Sequence, residues 1–276
     1  MNVYEVRKSI RTFQEKELSS VDLGKISSYL NDSGNFIGPF GNQFKFNLVI
    51  EKKTQAEQKI GTYGLIKNAQ GYILGSSNTD TKSLFDYAFV FENIVLYLTQ
   101  LNIGTCWLAG RFRKHHAISH LALEEGQIIP AITPFGYTAE KPRLKERLAK
   151  KILKVNTRLP ENKLFFYQSF DTPLERKAPE FQKALHLLRI APSAKNKQSW
   201  RLLFNRDFTK VHFFILSSLA DNELYMCEPE YLDIGVAYNH FKAGLDADGI
   251  SGKLSINNPA ISTPEKYKYI TTWTRD

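Results

Sequence analysis

Leu23, Ile26 and Leu30 recur with helical spacing, and the polar run Asn31-Asp32-Ser33-Gly34 then ends the pattern. The spacing predicts a helix over 21–30. Phe44, Phe46, Leu48 and Ile50 alternate with polar neighbours, the period of a strand with one buried face. Residues 55–68 read as a short helix and 71–77 as a buried strand. From 83 to 102 the chain is apolar almost all round, and a helix without a polar face must be covered on every side. A strand is expected over 128–137. Beyond residue 145 the chain turns to Lys, Glu, Pro and Asn, and 151–172 reads as a linker. The pattern then returns, with a helix over 181–190, strands over 200–205 and 211–216, a helix over 233–247 and an alternating strand over 266–273. Helix, loop and strand, then a helix opening at Asp86 or Asp233 and a final strand, therefore occur twice. The expectation is an α+β fold, internally duplicated, with a first half at 1–150 and a shorter second half at 173–276.

Composition narrows this picture. The 276 residues, 42% of them apolar, suffice for one large core or two smaller ones. The longest nearly uncharged run, 85–108, carries Asp86 and Glu92 and is broken near Gly104, so it makes a poor membrane span. Glu5, Arg7 and Lys8 do not suit a secretory leader, and a cytoplasmic protein is expected. Only two cysteines, Cys106 and Cys227, are present, and neither has a neighbour at metal-ligand or redox spacing. Cys106 has no base to activate it and reads as a small core residue. His116 and His120 share a helical face without a third ligand, so no metal site is expected. The net charge of +9 favours anionic partners, but the lysines lack the aromatic interleaving of a nucleic-acid platform.

Four stretches carry candidate chemistry. Pro192-Ser193-Ala194-Lys195-Asn196-Lys197-Gln198 follows an apolar helical run and offers short polar groups and free backbone amides to a neighbour. Its bland reading is a polar helix-to-strand connection. Arg7-Lys8-Ser9-Ile10-Arg11 places three cations and a hydroxyl within five positions, a composition suited to a phosphate dianion because guanidinium groups give forked, charge-assisted hydrogen bonds. A solvated charge run is the alternative. In the stretch 102–112, Gly104, Ala109 and Gly110 are small enough for a backbone to lie against a ring, although a helix end followed by a buried strand uses the same residues. Lys141 and Arg143 stand just beyond the strand that ends at Tyr137.

Together these stretches resemble the nitroreductase family, in its single-chain duplicated form, over nearly the whole sequence. The 192–198 loop resembles the family's flavin-proximal segment, with Ser199 where the family usually has proline before the Trp. Arg7-x-Ser9-x-Arg11 resembles the N-terminal phosphate motif, 102–112 the segment beneath the flavin, and Lys141-x-Arg143 a second phosphate element. The resemblance implies one FMN between the two halves. Arg7, Lys8, Ser9, Lys141 and Arg143 would hold the phosphate, and Arg11 would reach flavin N1 and the C2 carbonyl. An amide at Ala109 or Gly110 would face N5, and Pro192, Ser193, Ala194, Asn196 and Gln198 would close the site from the second half. The reciprocal site is missing its parts, since only Arg176 and Lys177 remain near 175–183 and Phe36, Ile37, Gly38, Pro39 and Phe40 replace the polar loop. The implied activity is NADH- or NADPH-dependent reduction of nitroaromatic, quinone or similar acceptors by a single chain acting as a pseudo-dimer. The alternatives are a non-catalytic flavin-binding or storage protein and other flavin chemistry on the same scaffold.

Overall fold

The computed structural model describes residues 2–51, 60–141, 143, 146, 157–175, 177–217 and 225–276. It divides into two compact units, Met1–Leu153 with Asn222–Glu228, and Lys154–Asp221 with Pro229–Asp276. Two stretches depart from the expected bounds. Residues 225–228 belong to the first unit, and residues 157–172 to the second.

In the first unit a short helix α1 (Val3–Val6) precedes α2 (Ser20–Asn31), whose start is fixed by the Ser19 hydroxyl accepting from the Asp22 amide. Strands β1 (Phe46–Ile50), β2 (Gly71–Gly75), β3 (Ile103–Thr105) and β4 (Ile132–Tyr137) form an antiparallel sheet in the order β1-β2-β4-β3. Every position of β2 is buried, which explains why it shows an apolar run without alternation. Helix α3 (Thr81–Gln100) is capped by Asp80, which accepts from the amides of Lys82 and Ser83. Its buried residues include Phe85, Tyr87, Phe91 and Leu98, in agreement with its apolar circumference. The Tyr87 hydroxyl donates to the Ala131 carbonyl at 2.7 Å and so satisfies its one buried polar group. A short helix α4 (Lys114–Ile118) lies between β3 and β4 in sequence. The helix expected over 55–68 is not formed in its described part: 60–68 is turns and irregular chain, with Tyr63 and Asn68 at positive φ, and 55–59 lies outside the described residues.

The second unit carries β5 (Phe165–Tyr167), β6 (Ser169–Pro173), α5 (Gln182–Ile190), β7 (Trp200–Phe204), β8 (Lys210–Leu216), α6 (Pro229–Ala247), β9 (Gly252–Ser255) and β10 (Tyr267–Arg275). Its sheet runs β6-β5-β7-β8-β10-β9, with only the β5–β7 pair parallel. Residues 165–172, expected as linker, are therefore sheet. Phe165 and Phe166 are buried, and Phe165 pairs with Leu202 across the parallel ladder. Helix α5 packs so closely on α6 that a Cβ on Gly244 would lie 2.3 Å from the Ala184 Cα.

Within each unit the chain visits the same elements in the same order. The run α2-β1-β2-α3-β3-β4 has its counterpart in α5-β7-β8-α6-β9-β10, and the sheet order β1-β2-β4-β3 recurs as β7-β8-β10-β9. The second unit adds β5 and β6 on the outer side of β7.

One buried histidine in the second sheet makes stability depend on pH. His212 Nδ1 lies 2.8 Å from the Thr272 hydroxyl, and burial, aided by Lys210, lowers its pKa from 6.5 to about 4. The unfolded chain thus binds the proton more readily than the folded one. This contribution to stability is complete above pH 6.5 and is lost as the pH falls from there through about 4. A melting series over that window should slope downward for the native protein and more weakly for His212→Asn; identical slopes would contradict the assignment.

Candidate flavin site

The basic segment of the first unit is laid down by backbone pairing on both sides. Ser9 bridges Thr105 in parallel, and the Ile10 amide donates to the Thr105 carbonyl at 2.7 Å. Further on, the Lys67 amide donates to the Arg11 carbonyl at 2.9 Å and the Phe13 amide to the Lys67 carbonyl at 3.0 Å. Gly104 makes this crossing possible: a Cβ there would lie 2.7 Å from the Thr138 hydroxyl and 3.1 Å from the Ile10 side chain. The N-terminal motif and the 102–112 segment are therefore neighbours.

Their side chains divide into three groups. Lys8 and Lys141 are exposed and Ser9 is half-buried. Arg7 turns toward Glu92 of α3. Its Nε lies 3.8 Å from Glu92 Oε1, an ion-pair contact too long for a hydrogen bond, and the Nε hydrogen has no hydrogen-bond partner among the described residues. Glu92 is fully buried and also accepts from the Trp107 indole at 2.6 Å. Arg143, expected at the phosphate, makes contacts within the protein. Its Nε donates to the Thr12 hydroxyl at 3.2 Å and its Nη2 to the Leu65 carbonyl at 3.0 Å, while Thr12 donates to Glu146 at 2.7 Å. That guanidinium closes the chain around Thr12. In Arg11 the Nη1, like Arg7 Nε, is buried and has no hydrogen-bond partner among the described residues. A buried guanidinium hydrogen without an acceptor is costly, and a ligand oxygen would remove that cost.

Ala109 is partly exposed, whereas Gly110 is buried and bridges Tyr225 in antiparallel fashion. Of the two expected amides, only that of Ala109 lies in a residue outside such a bridge.

In the second unit the loop 192–198 contains a short 3-10 turn, Ala194–Asn196. Pro192, Ser193, Ala194 and Asn196 are half-buried. Lys195, Asn196 and Gln198 all have positive φ, of 52, 57 and 51°. Non-glycine residues in this region are strained by roughly 1–3 kcal/mol each, and they persist where neighbours enforce them. The enforcement is visible. The Ser193 hydroxyl accepts from the Gln198 amide at 2.9 Å, Gln198 Oε1 accepts from the Leu159 amide at 2.8 Å, and Asn196 Nδ2 donates to the Thr157 carbonyl at 2.9 Å. The side chains of Asn196 and Gln198 thus clamp 157–159. The loop's exposed residues are Lys195 and Lys197, and Pro192, Ser193 and Ala194 are half-buried.

Sequence reasoning missed the carboxylates that hold these pieces. Glu92 carried a signal, since a lone acid in an otherwise apolar helix must find a cation or a donor. Glu146 carried none.

Folds of this kind, with a duplicated antiparallel sheet and a buried long helix in each copy, are nitroreductase-like. The family model described as "Putative TM nitroreductase" matches residues 1–245, and the chain belongs to that family. A crystal structure of a putative nitroreductase from Thermotoga maritima MSB8 is 18% identical, covers 99% of this chain and 94% of its own, and superposes with a TM-score of 0.61, a likeness of fold. Partial matches include an FMN-dependent nitroreductase from Clostridium difficile R20291, 19% identical over 54% of this chain and 94% of its own, TM-score 0.39. Another is a nitroreductase with bound FMN from Bacteroides fragilis NCTC 9343, 18% identical over 51% and 89%, TM-score 0.38. No curated protein matches the chain. Among the described residues, no helix is long and apolar enough to cross a membrane.

Proposed function

We propose that the chain is an FMN-dependent NAD(P)H oxidoreductase that reduces nitroaromatic, quinone or similar electron-poor acceptors. The observation that carries this reading is the Nη1 of Arg11, buried and without a partner among the described residues, within the segment whose residues resemble the family's flavin motif. When bound, FMN supplies the redox chemistry. The chain's part is to bind and orient. Lys8, Ser9 and Lys141 offer two cations and a hydroxyl donor to the phosphate, Arg11 offers a fixed cation where negative charge accumulates, and the 192–198 loop offers the half-buried Pro192, Ser193 and Ala194. No side chain is needed as an obligatory acid or base in this scheme.

One FMN per chain is expected, because the first unit's loop at 36–40 has aromatic and apolar residues where the second unit's loop is polar. Titration of the purified protein with FMN, followed by anaerobic addition of NADH and NADPH in turn, tests both parts. The expected result is saturation at one equivalent and bleaching of the flavin absorbance by one nucleotide or both. Two equivalent sites would overturn the stoichiometry, and flavin bound but reduced by neither nucleotide would support the storage reading.

A further inference from the structure

We propose that Asp233, with the Glu230–Lys197 ion pair, is a positioning residue that holds the 192–198 loop in its ligand-ready shape. The proposal deepens the FMN reading and rests on it for the identity of the ligand. Asp233 lies in the second turn of α6, is 6% exposed, and accepts the Ala194 amide on Oδ1 at 2.9 Å. One turn earlier, Glu230 is 2% exposed and takes the Lys197 ammonium at 3.1 Å. Two carboxylates of one helix thus grip the loop at positions 194 and 197, on either side of strained Lys195 and Asn196. Buried carboxylates are expensive, and a merely packed helix would be served as well by apolar side chains. Here they act on the backbone of the segment whose conformation is least favourable by itself.

The first unit contains the same device with a different outcome. Asp86, at the equivalent place in α3, accepts from the Phe40 amide at 3.0 Å, the Asn42 amide at 3.1 Å and the Asn42 side chain at 2.8 Å. Gly38 is pressed so closely on it that a Cβ would lie 2.2 Å from the Asp86 Cβ. That loop is closed down onto its aspartate, with Phe40 edge-on to Phe85 at 5.3 Å. Among the described residues Asp233 instead receives a single amide, and its Oδ2 is buried without a partner. Burial pushes the Asp233 carboxyl up to about 8; the Ala194 amide and Lys197 oppose that rise and Glu230 adds to it. At neutral pH the uncharged carboxyl predominates, a form that asparagine copies in shape and charge.

The test compares Asp233→Ala, Asp233→Asn and Asp86→Ala in the full chain, reading FMN affinity and, in the flavin-free protein, hydrogen exchange of the 193–198 amides. Asp233→Ala should weaken FMN binding about fivefold to tenfold, the worth of one neutral hydrogen bond, and speed exchange of those amides by about the same factor. Asp233→Asn should restore both to near the native values. Asp86→Ala should lower the melting temperature yet leave FMN affinity and 193–198 exchange unchanged. Native exchange in Asp233→Ala, or equal FMN loss in Asp86→Ala, would overturn the proposal. Failure of the native protein to bind FMN would instead refute the functional reading, and the exchange measurement would still decide the role of Asp233.

Discussion

Arg11→Ala should raise the dissociation constant for FMN about thirtyfold to one-hundredfold, the loss expected when a charge-assisted donor is removed from an anionic or carbonyl acceptor. In the flavin-free protein the same substitution should leave the melting temperature unchanged or raise it. The reason is the same orphaned atom: Arg11 Nη1 is buried and has no partner among the described residues, so the native fold bears its desolvation without return. A residue that costs stability yet is needed for a ligand gives opposite signs in these two measurements, which a structural arginine does not. The midpoint potential of bound flavin should also fall, because a fixed cation favours the more negative, reduced form. Lys should rescue only part of the affinity, since an ammonium cannot reproduce the forked donor pair of guanidinium. Unchanged affinity in Arg11→Ala would remove the chief support for the FMN reading.

How legible these features were depended on how local their causes are. The long helix α3 was readable within two residues of each end because its burial on all sides is written directly as apolar residues, and the Asp80 cap adjoins it. The doubled order of elements was readable for the same reason, each copy repeating its own periods. Strands β5 and β6 were not. Three-residue β5 owes its existence to a parallel ladder with β7, more than thirty residues on, and nothing in Phe165-Phe166-Tyr167 announces such a partner. Residues 60–68 have helix-compatible composition but are held in turns by distant bonds, such as that between the Lys67 amide and the Arg11 carbonyl. At the site, residue type and location were readable while direction was not. Arg7, Arg11 and Arg143 look alike as motif members, yet Arg7 faces Glu92, Arg143 encloses Thr12, and a nitrogen of Arg7 and one of Arg11 are buried without a hydrogen-bond partner among the described residues. Asn196 and Gln198 were assigned outward because short amides suit a flavin. Positive φ at both residues accompanies side chains turned onto 157–159, a choice made by tertiary packing.

The largest effect on stability is expected from Glu92→Ala, at about 3–5 kcal/mol, the range for breaking a buried charge pair by removing one partner. Loss of this side chain has three consequences. Arg7, whose side chain is 7% exposed, would keep its charge with the facing carboxylate gone; the Trp107 indole would lose its acceptor at 2.6 Å; and a cavity would open in the middle of α3. For a protein of this size the loss corresponds to a fall in melting temperature on the order of 10 °C. Glu92→Gln separates the contributions, since its carbonyl still accepts from Trp107 while the charge facing Arg7 is gone, and it should be destabilised by roughly half as much. The decisive variant is the pair Arg7→Ala with Glu92→Ala. Removing the stranded cation together with its partner should make the double variant more stable than Glu92→Ala alone, with a coupling energy of about 1–3 kcal/mol. Strict additivity of the two single losses would show that the 3.8 Å approach of Arg7 to Glu92 carries no energy. Glu92 would then be an acceptor for Trp107 and nothing more.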